Sequence, residues 1–299
     1  MRIGFLRYVW AAFYGLLLAN SAFAVDELSS SVEFDTHYLV KDSDQHHKDE
    51  DEKQYGVNAR YYLTSVEQST ISPLENQFLA RVSYVDISFR ADDVTPQDDF
   101  NRLRLTYSHD DRLLSHSWRI AYISTRHETR LDEERLNGGG LGLSIYLTET
   151  GKADFYSEYE SGDGYRISFS EIKYRQIYTA YDLDLVFDVG LSHREKKTPY
   201  PNLGREGGGY ISNAWYGELA WYLTRKLRLG FGHQSHSIDY RNGNDGALNS
   251  LYLHGGYAPW DFVQLTLRAG VQREIVDRPN LDEVEENAAA FDASIRFEF

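Results

Sequence analysis

The chain of 299 residues contains no cysteine. A small disulfide-stapled secreted domain, a thiolate metal centre and a cysteine nucleophile are therefore excluded, and stability has to come from backbone pairing and packing. Positive charge is scarce as well, with 31 lysines and arginines against 46 acids and a net charge of -15. That balance repels nucleic-acid phosphate and argues against nucleic acid as a partner. Beyond the first two dozen residues no long apolar run exists and mean hydropathy is -0.54, so helices crossing a bilayer are ruled out. An ordered Ser-His-Asp set, a phosphate loop, an HExxH helix and a repeat of solenoid length are all missing too.

Aromatic residues, by contrast, are abundant: 23 tyrosines, 15 phenylalanines and 5 tryptophans. A closed transmembrane barrel reconciles this load with a polar average. Its strands are apolar only toward lipid, and aromatic girdles mark the two interfaces. The N-terminus agrees, because "MRIGFLRYVW" carries Arg2 and Arg7, "AAFYGLLLAN" is apolar and "SAFA" offers small residues for cleavage. This is the pattern of a secretory signal peptide over residues 1–24, leaving a single barrel domain over 25–299. Loss of the two arginines takes the net charge from -15 to -17.

Period-two alternation recurs from end to end, as in "VNARYYL", "LRLTY", "LGLSIYL", "LDLVFDVGL" and "VQLTLRAGV", which predicts half-buried strands rather than helices. About fourteen such segments are counted, an all-β antiparallel barrel for which twelve or sixteen strands also fit. The approximate spans are 31–41, 54–66, 77–91, 100–109, 115–127, 138–149, 152–161, 164–175, 179–193, 209–223, 226–240, 248–257, 262–275 and 287–299. With the N-terminus in the periplasm, connections alternate between long outer loops and short periplasmic turns. The exceptions are the short loop "SGDG" and the long turn "EQSTISPLEN" near Pro73. Both termini then lie in the periplasm.

The chain closes on "FDASIRFEF", with Phe291, Ala293, Ile295, Phe297 and Phe299 on one parity. This ending resembles the assembly signal of Gram-negative outer-membrane barrels. The resemblance implies an outer-membrane location and the barrel-assembly machinery, membrane lipid and lipopolysaccharide as partners; the pleat alone implies that Phe291, Ile295, Phe297 and Phe299 face lipid. A second stretch, "ISPLENQFLARVSYVDISFR" with Pro73, Leu74, Glu75, Phe78 and Leu79, resembles a strand-preceding segment of uncharacterised proteobacterial porins.

Parity also assigns the lumen. Arg60, Arg102, Arg104, Arg119, Arg268 and Arg296 form a basic arc with Asn58, Tyr62 and Gln264, and Asp154, Glu158, Glu160, Asp182, Asp184, Asp188 and Glu218 an acidic one with Tyr156 and Tyr216. Glu33, Asp35 and Glu298 within the basic arc, and Arg166 near the acidic one, break the pattern. Two readings follow: a water-filled lumen crossed by a transverse field, or interior salt bridges closing a narrow barrel. Constriction by an inward-folded loop is expected from residues 194–209, with Pro199 and Pro201; a mobile surface loop is the alternative. The acidic loop with His46 and His47 reads as a solvated charge run, and no metal site or cofactor is expected.

One stretch competes with the pore. In "GHQSHS", His233 and Ser235 lie two apart on the lipid-facing parity, with about 6.6 Å between backbones, and Asn249 is available on the next strand if the intervening turn is tight. The pair resembles the His-x-Ser of outer-membrane phospholipase A and lipid A deacylases, which implies acyl-ester hydrolysis, although His236 stands where those families carry asparagine. A structural or adhesive barrel needs only the loops. The preferred expectation is a passive pore for small hydrophilic solutes, not an enzyme, with oligomeric state open.

Overall fold

A computed structural model describes residues 27–42, 52–67, 71–95, 98–111, 114–129, 133–162, 164–180, 183–197, 209–240, 245–277 and 284–299. Residues 1–24, expected to be a signal peptide, and Asp182, His46 and His47 lie outside the described residues. Fourteen strands follow in chain order: β1 (Glu27–Asp42), β2 (Glu52–Glu67), β3 (Tyr84–Thr95), β4 (Asp98–Asp111), β5 (His116–Thr129), β6 (Glu133–Thr148) and β7 (Gly151–Ser161). The second half comprises β8 (Arg166–Ala180), β9 (Leu183–Lys197), β10 (Gly209–Thr224), β11 (Leu227–Tyr240), β12 (Asp245–Trp260), β13 (Val263–Asp277) and β14 (Val284–Glu298). Each pairs antiparallel with its sequence neighbours, and the sheet closes through β1 and β14.

Closure runs from Ser31 opposite Glu298 to Asp42 opposite Asn287. It is completed by reciprocal bonds between Ser30 and the terminal Phe299, 2.9 and 2.8 Å. The last residue is thus part of the seam, and a closed sheet leaves no edge to be satisfied in lipid. Strands of 11 to 16 residues exceed the 9 to 11 or so that cross a bilayer. They also run further than the alternation of apolar residues predicts: most of "DDVTPQDD" and "ETRLDEERL" is strand, and so is the "QIY" expected to turn. Backbone pairing continues into water because it needs no apolar side chain.

Facing follows the pleat. Leu141, Leu191, Leu253, Leu267, Val271 and Phe291 are all more than half exposed on the outer surface, while their sequence neighbours turn inward. A charge introduced on that surface has to be desolvated in hydrocarbon. Leu253→Arg, at the middle of β12, is expected to destabilise the folded barrel by about 2–4 kcal/mol in lipid vesicles. Urea unfolding measures this, and an unchanged midpoint would contradict the lipid-facing assignment.

One connection does not behave as a turn. Between β2 and β3 the chain forms a 3-10 turn over Pro73–Glu75 followed by one α-helical turn over Asn76–Leu79. Ser72 caps it, its Oγ accepting from the Leu74 amide at 3.1 Å, and Pro73 supplies a preset φ at the first helical position. Ser72, Pro73, Leu74, Glu75 and Asn76 are all buried. This segment has folded into the barrel.

Candidate functional site: the lumen and its inserted turn

The inserted turn packs on an apolar patch that the barrel wall provides. Leu74 contacts a cluster of Ile177 on β8, Val186 on β9, Ala220 and Tyr222 on β10 and Ala258 on β12, with Ile71, Phe78 and Leu79 against its margin. All five wall residues share the parity of the lumen-facing charges on their strands. Apolar side chains pointing into a polar interior need an apolar partner there, and the turn is that partner.

Polar contacts fasten the rest. Gln264 donates to the Pro73 carbonyl at 2.6 Å, Asn76 donates to Glu298 at 2.8 Å, and Gln77 accepts from Arg60 at 3.3 Å while donating to Ser31 at 2.9 Å. Arg175 stacks over Phe78, 4.8 Å from the ring centre. Contacts to β1 and to β8, half a ring apart in the strand order, mean that the turn reaches across the lumen at the end where the termini lie.

Its centre is Glu75. The carboxylate has no solvent exposure and is gripped by Arg175 Nη2 at 2.6 Å, Arg228 Nη1 at 2.7 Å and the Tyr222 hydroxyl. Burial alone would push this carboxyl up, but the two guanidinium groups and the Tyr222 hydrogen bond outweigh it and hold it below the ordinary carboxylate range. A depressed pKa means that the clasp is at full strength above the ordinary carboxylate pKa and is lost only as pH falls through the depressed one. Arg175 and Arg228 were absent from the residues the sequence nominated, and Glu75 was named there only as part of the porin-like stretch. The signal that could have found them is the row of apolar residues on lumen parity, Ile177, Val186 and Ala220, which a solvated pore would not carry. An inward constriction is formed here; of the segment 194–209 from which one was expected, residues 198–208 lie outside the described residues.

The nominated arc charges that lie within the described residues face the lumen, and each has an ionic or hydrogen-bond partner. Arg102 on β4 meets Glu158 and Glu160 on β7 at 2.6 and 2.5 Å, Arg104 also binds Glu158, and Thr125 donates to Glu160 at 2.5 Å. These pairs cross two intervening strands because the inner face of β6 carries no side chain at its glycines: a Cβ on Gly140 would stand 2.3 Å from the Tyr156 hydroxyl, and one on Gly142 2.4 Å from Arg119 Nε. Arg119 lies 3.8 Å from Asp154, and Arg268 lies 2.7 Å from Glu218. Asp188 is flanked by Arg175 at 3.7 Å and Lys173 at 4.0 Å, while Asp184 accepts from Thr179. Two of the three exceptions within the basic arc are partners too: Glu33 accepts from Arg296 at 2.7 Å, and Glu298 from Asn76. Arg60 pairs with Asp86 at 3.2 Å.

Beside the inserted turn a cavity of about 360 Å³ remains, lined by Glu33, Asp35, Arg90, Arg228, His254 and Arg268 among others. On the outer surface, Ser235 lies directly opposite Asn249 in the β11–β12 register, as the tight connection requires. His233 lies opposite Leu251. Its ring packs 4.9 Å from Trp215, and its Nδ1 is buried without a hydrogen-bond partner. Phe291, Ile295 and Phe297 lie on the outward parity of β14 and continue to the Phe299 seam.

No protein-family model matches the chain, and no curated protein matches its sequence. Among solved structures, the outer membrane protein Omp33 of Acinetobacter baumannii aligns with a TM-score of 0.51 at 14% identity, over 91% of this chain and 99% of that one. A bacterial polysaccharide outer membrane secretin gives 0.51 at 12%, over 92% and 100%. The CymD monoaromatic hydrocarbon channel gives 0.50 at 9%, over 91% and 89%. At such identities the likeness is one of fold, and the fold is that of outer-membrane β-barrels.

Proposed function

We propose that the protein is an outer-membrane channel of a Gram-negative bacterium through which small hydrophilic solutes diffuse passively, with both termini in the periplasm and the inserted turn setting its narrowest section. The observation that carries this reading is the interior: a charged, polar lumen with a cavity of about 360 Å³ inside a barrel whose outer face is apolar. The channel barrels of like fold, the N-terminal signal pattern and the porin-like stretch Ile71–Arg90 support it. A solute must pass the inserted turn or displace it. Purified protein in planar lipid bilayers is expected to produce discrete current steps that grow with salt concentration; a silent membrane would sink the channel reading.

The register of Ser235 against Asn249 keeps acyl hydrolysis as a second reading. It requires the imidazole to be oriented through Nδ1, which has no partner in this state. Ser235→Ala should abolish any esterase activity of the purified protein if that reading holds.

A further inference from the structure

The seat of Glu75 has the architecture of a carboxylate receptor. Two guanidinium groups and a phenol converge on one carboxylate, with Arg228 and Tyr222 on one oxygen and Arg175 on the other. Planar donors in this arrangement match the geometry of a carboxylate rather than of a simple halide. All three receptor residues belong to the barrel wall, on β11, β10 and β8, whereas the occupant belongs to the inserted turn. Receptor and occupant are therefore separable.

The receptor also has donors that Glu75 does not use and a route by which a second occupant arrives. Arg175 and Arg228 each keep a buried Nε without a hydrogen-bond partner, and so does Nε2 of His254. Arg228 and His254 both line the lumenal cavity. The guanidinium that holds Glu75 is thus the same one that a solute in the cavity meets. We infer that the Arg175, Tyr222 and Arg228 cluster is a binding site for small monocarboxylate solutes, with Glu75 as its resident occupant, and that an incoming carboxylate exchanges for Glu75 and releases the inserted turn.

Exchange is feasible where simple withdrawal is not. Pulling Glu75 out takes from Arg228 its ion-pair partner and leaves Arg175 only the longer contact to Asp188 at 3.7 Å, which is strongly unfavourable for buried cations. Substituting one carboxylate for another leaves the same charges paired, and the departing Glu75 is rehydrated. What opposes release is then the apolar packing around Leu74, the stacking of Phe78 on Arg175 and the contacts of Gln264, Asn76 and Gln77. The cavity sets the acids Glu33, Asp35, Glu218 and Asp292 against Arg90, Arg228 and Arg268, so it holds no surplus of arginine for a second negative charge on the solute, which is why the class is monocarboxylate. The arrival route rests on the channel reading; the receptor does not.

Acetate is the probe, and chemical rescue the test. The full-length Glu75→Ala barrel, folded in detergent, should show a thermal unfolding midpoint that rises saturably with sodium acetate but not with sodium chloride of equal ionic strength. The double variant Glu75→Ala/Arg228→Ala should lose the difference. Identical responses to the two salts would mean anion screening only and would overturn the proposal. If Glu75→Ala does not fold, the near-isosteric Glu75→Gln carries the test by equilibrium dialysis with labelled acetate. Binding about tenfold tighter than to wild type is expected, because a neutral amide is a poorer competitor for two guanidinium groups; no saturable binding overturns the site. Neither readout needs current through a membrane, so a silent bilayer would end the channel reading and leave the receptor standing. Conducting protein that ignores acetate would do the reverse.

Discussion

Glu75→Ala is expected to raise the single-channel conductance several-fold by unseating the inserted turn. The carboxylate is the single counter-charge that both Arg175 and Arg228 share, at 2.6 and 2.7 Å. Removing one member of a buried ion pair costs about 3–5 kcal/mol, since the charges left behind remain desolvated. Burial of Leu74 returns only about 2 kcal/mol to the docked state. The balance then favours a turn displaced from the lumen, with water entering to solvate the two guanidinium groups. Current steps recorded in planar bilayers should be larger for this variant than for wild type, while Glu75→Gln, which preserves shape and one of the two acceptor oxygens, should fall between. Equal conductance of all three would show that the turn does not govern the narrowest section.

The second large effect lies on the opposite part of the wall and concerns stability. In Arg102→Met the carboxylates of Glu158 and Glu160, whose side chains are 3% and 1% exposed, lose the guanidinium that bridges them. Arg104 still reaches Glu158, but Glu160 keeps only Thr125. A loss of about 3–5 kcal/mol is expected by the same desolvation argument, read from urea unfolding. Adding Glu160→Gln should recover part of it, because a neutral amide is far cheaper to bury than an unpaired carboxylate. Strict additivity of the two substitutions would show that these residues do not interact.

Much of the architecture was legible from residue order. The number of strands, their sequence and the outward face of Leu141, Leu191, Leu267 and Phe291 all follow from alternation, and the meeting of the first strand with the last follows from the need to leave no edge in lipid. Strand ends were less legible, since charged residues past the apolar band continue the ladder without an apolar signature. The lumen was legible as a list and not as a set of pairs. Arg102 was read as one member of a basic arc, yet its partners sit three strands away and are reached because Gly138, Gly140 and Gly142 put no side chain in the way on β6.

The inserted turn marks the boundary between the two kinds of information. Its length near Pro73 was anomalous for a periplasmic turn, and the apolar lumen-facing residues Ile177, Val186 and Ala220 were anomalous for a pore. Each anomaly is local and explains nothing alone. They become one feature when the sheet curls and brings Glu75 against Arg175 and Arg228, 100 and 153 residues further along the chain. Face and strand count were determined by the sequence itself, because a pleat repeats every two residues and each side chain's side is set by its immediate neighbours. Whether the interior is open, paired or occupied was decided by the closed barrel alone, because only closure gives strands half a ring apart a common space in which one buried carboxylate can answer two cations.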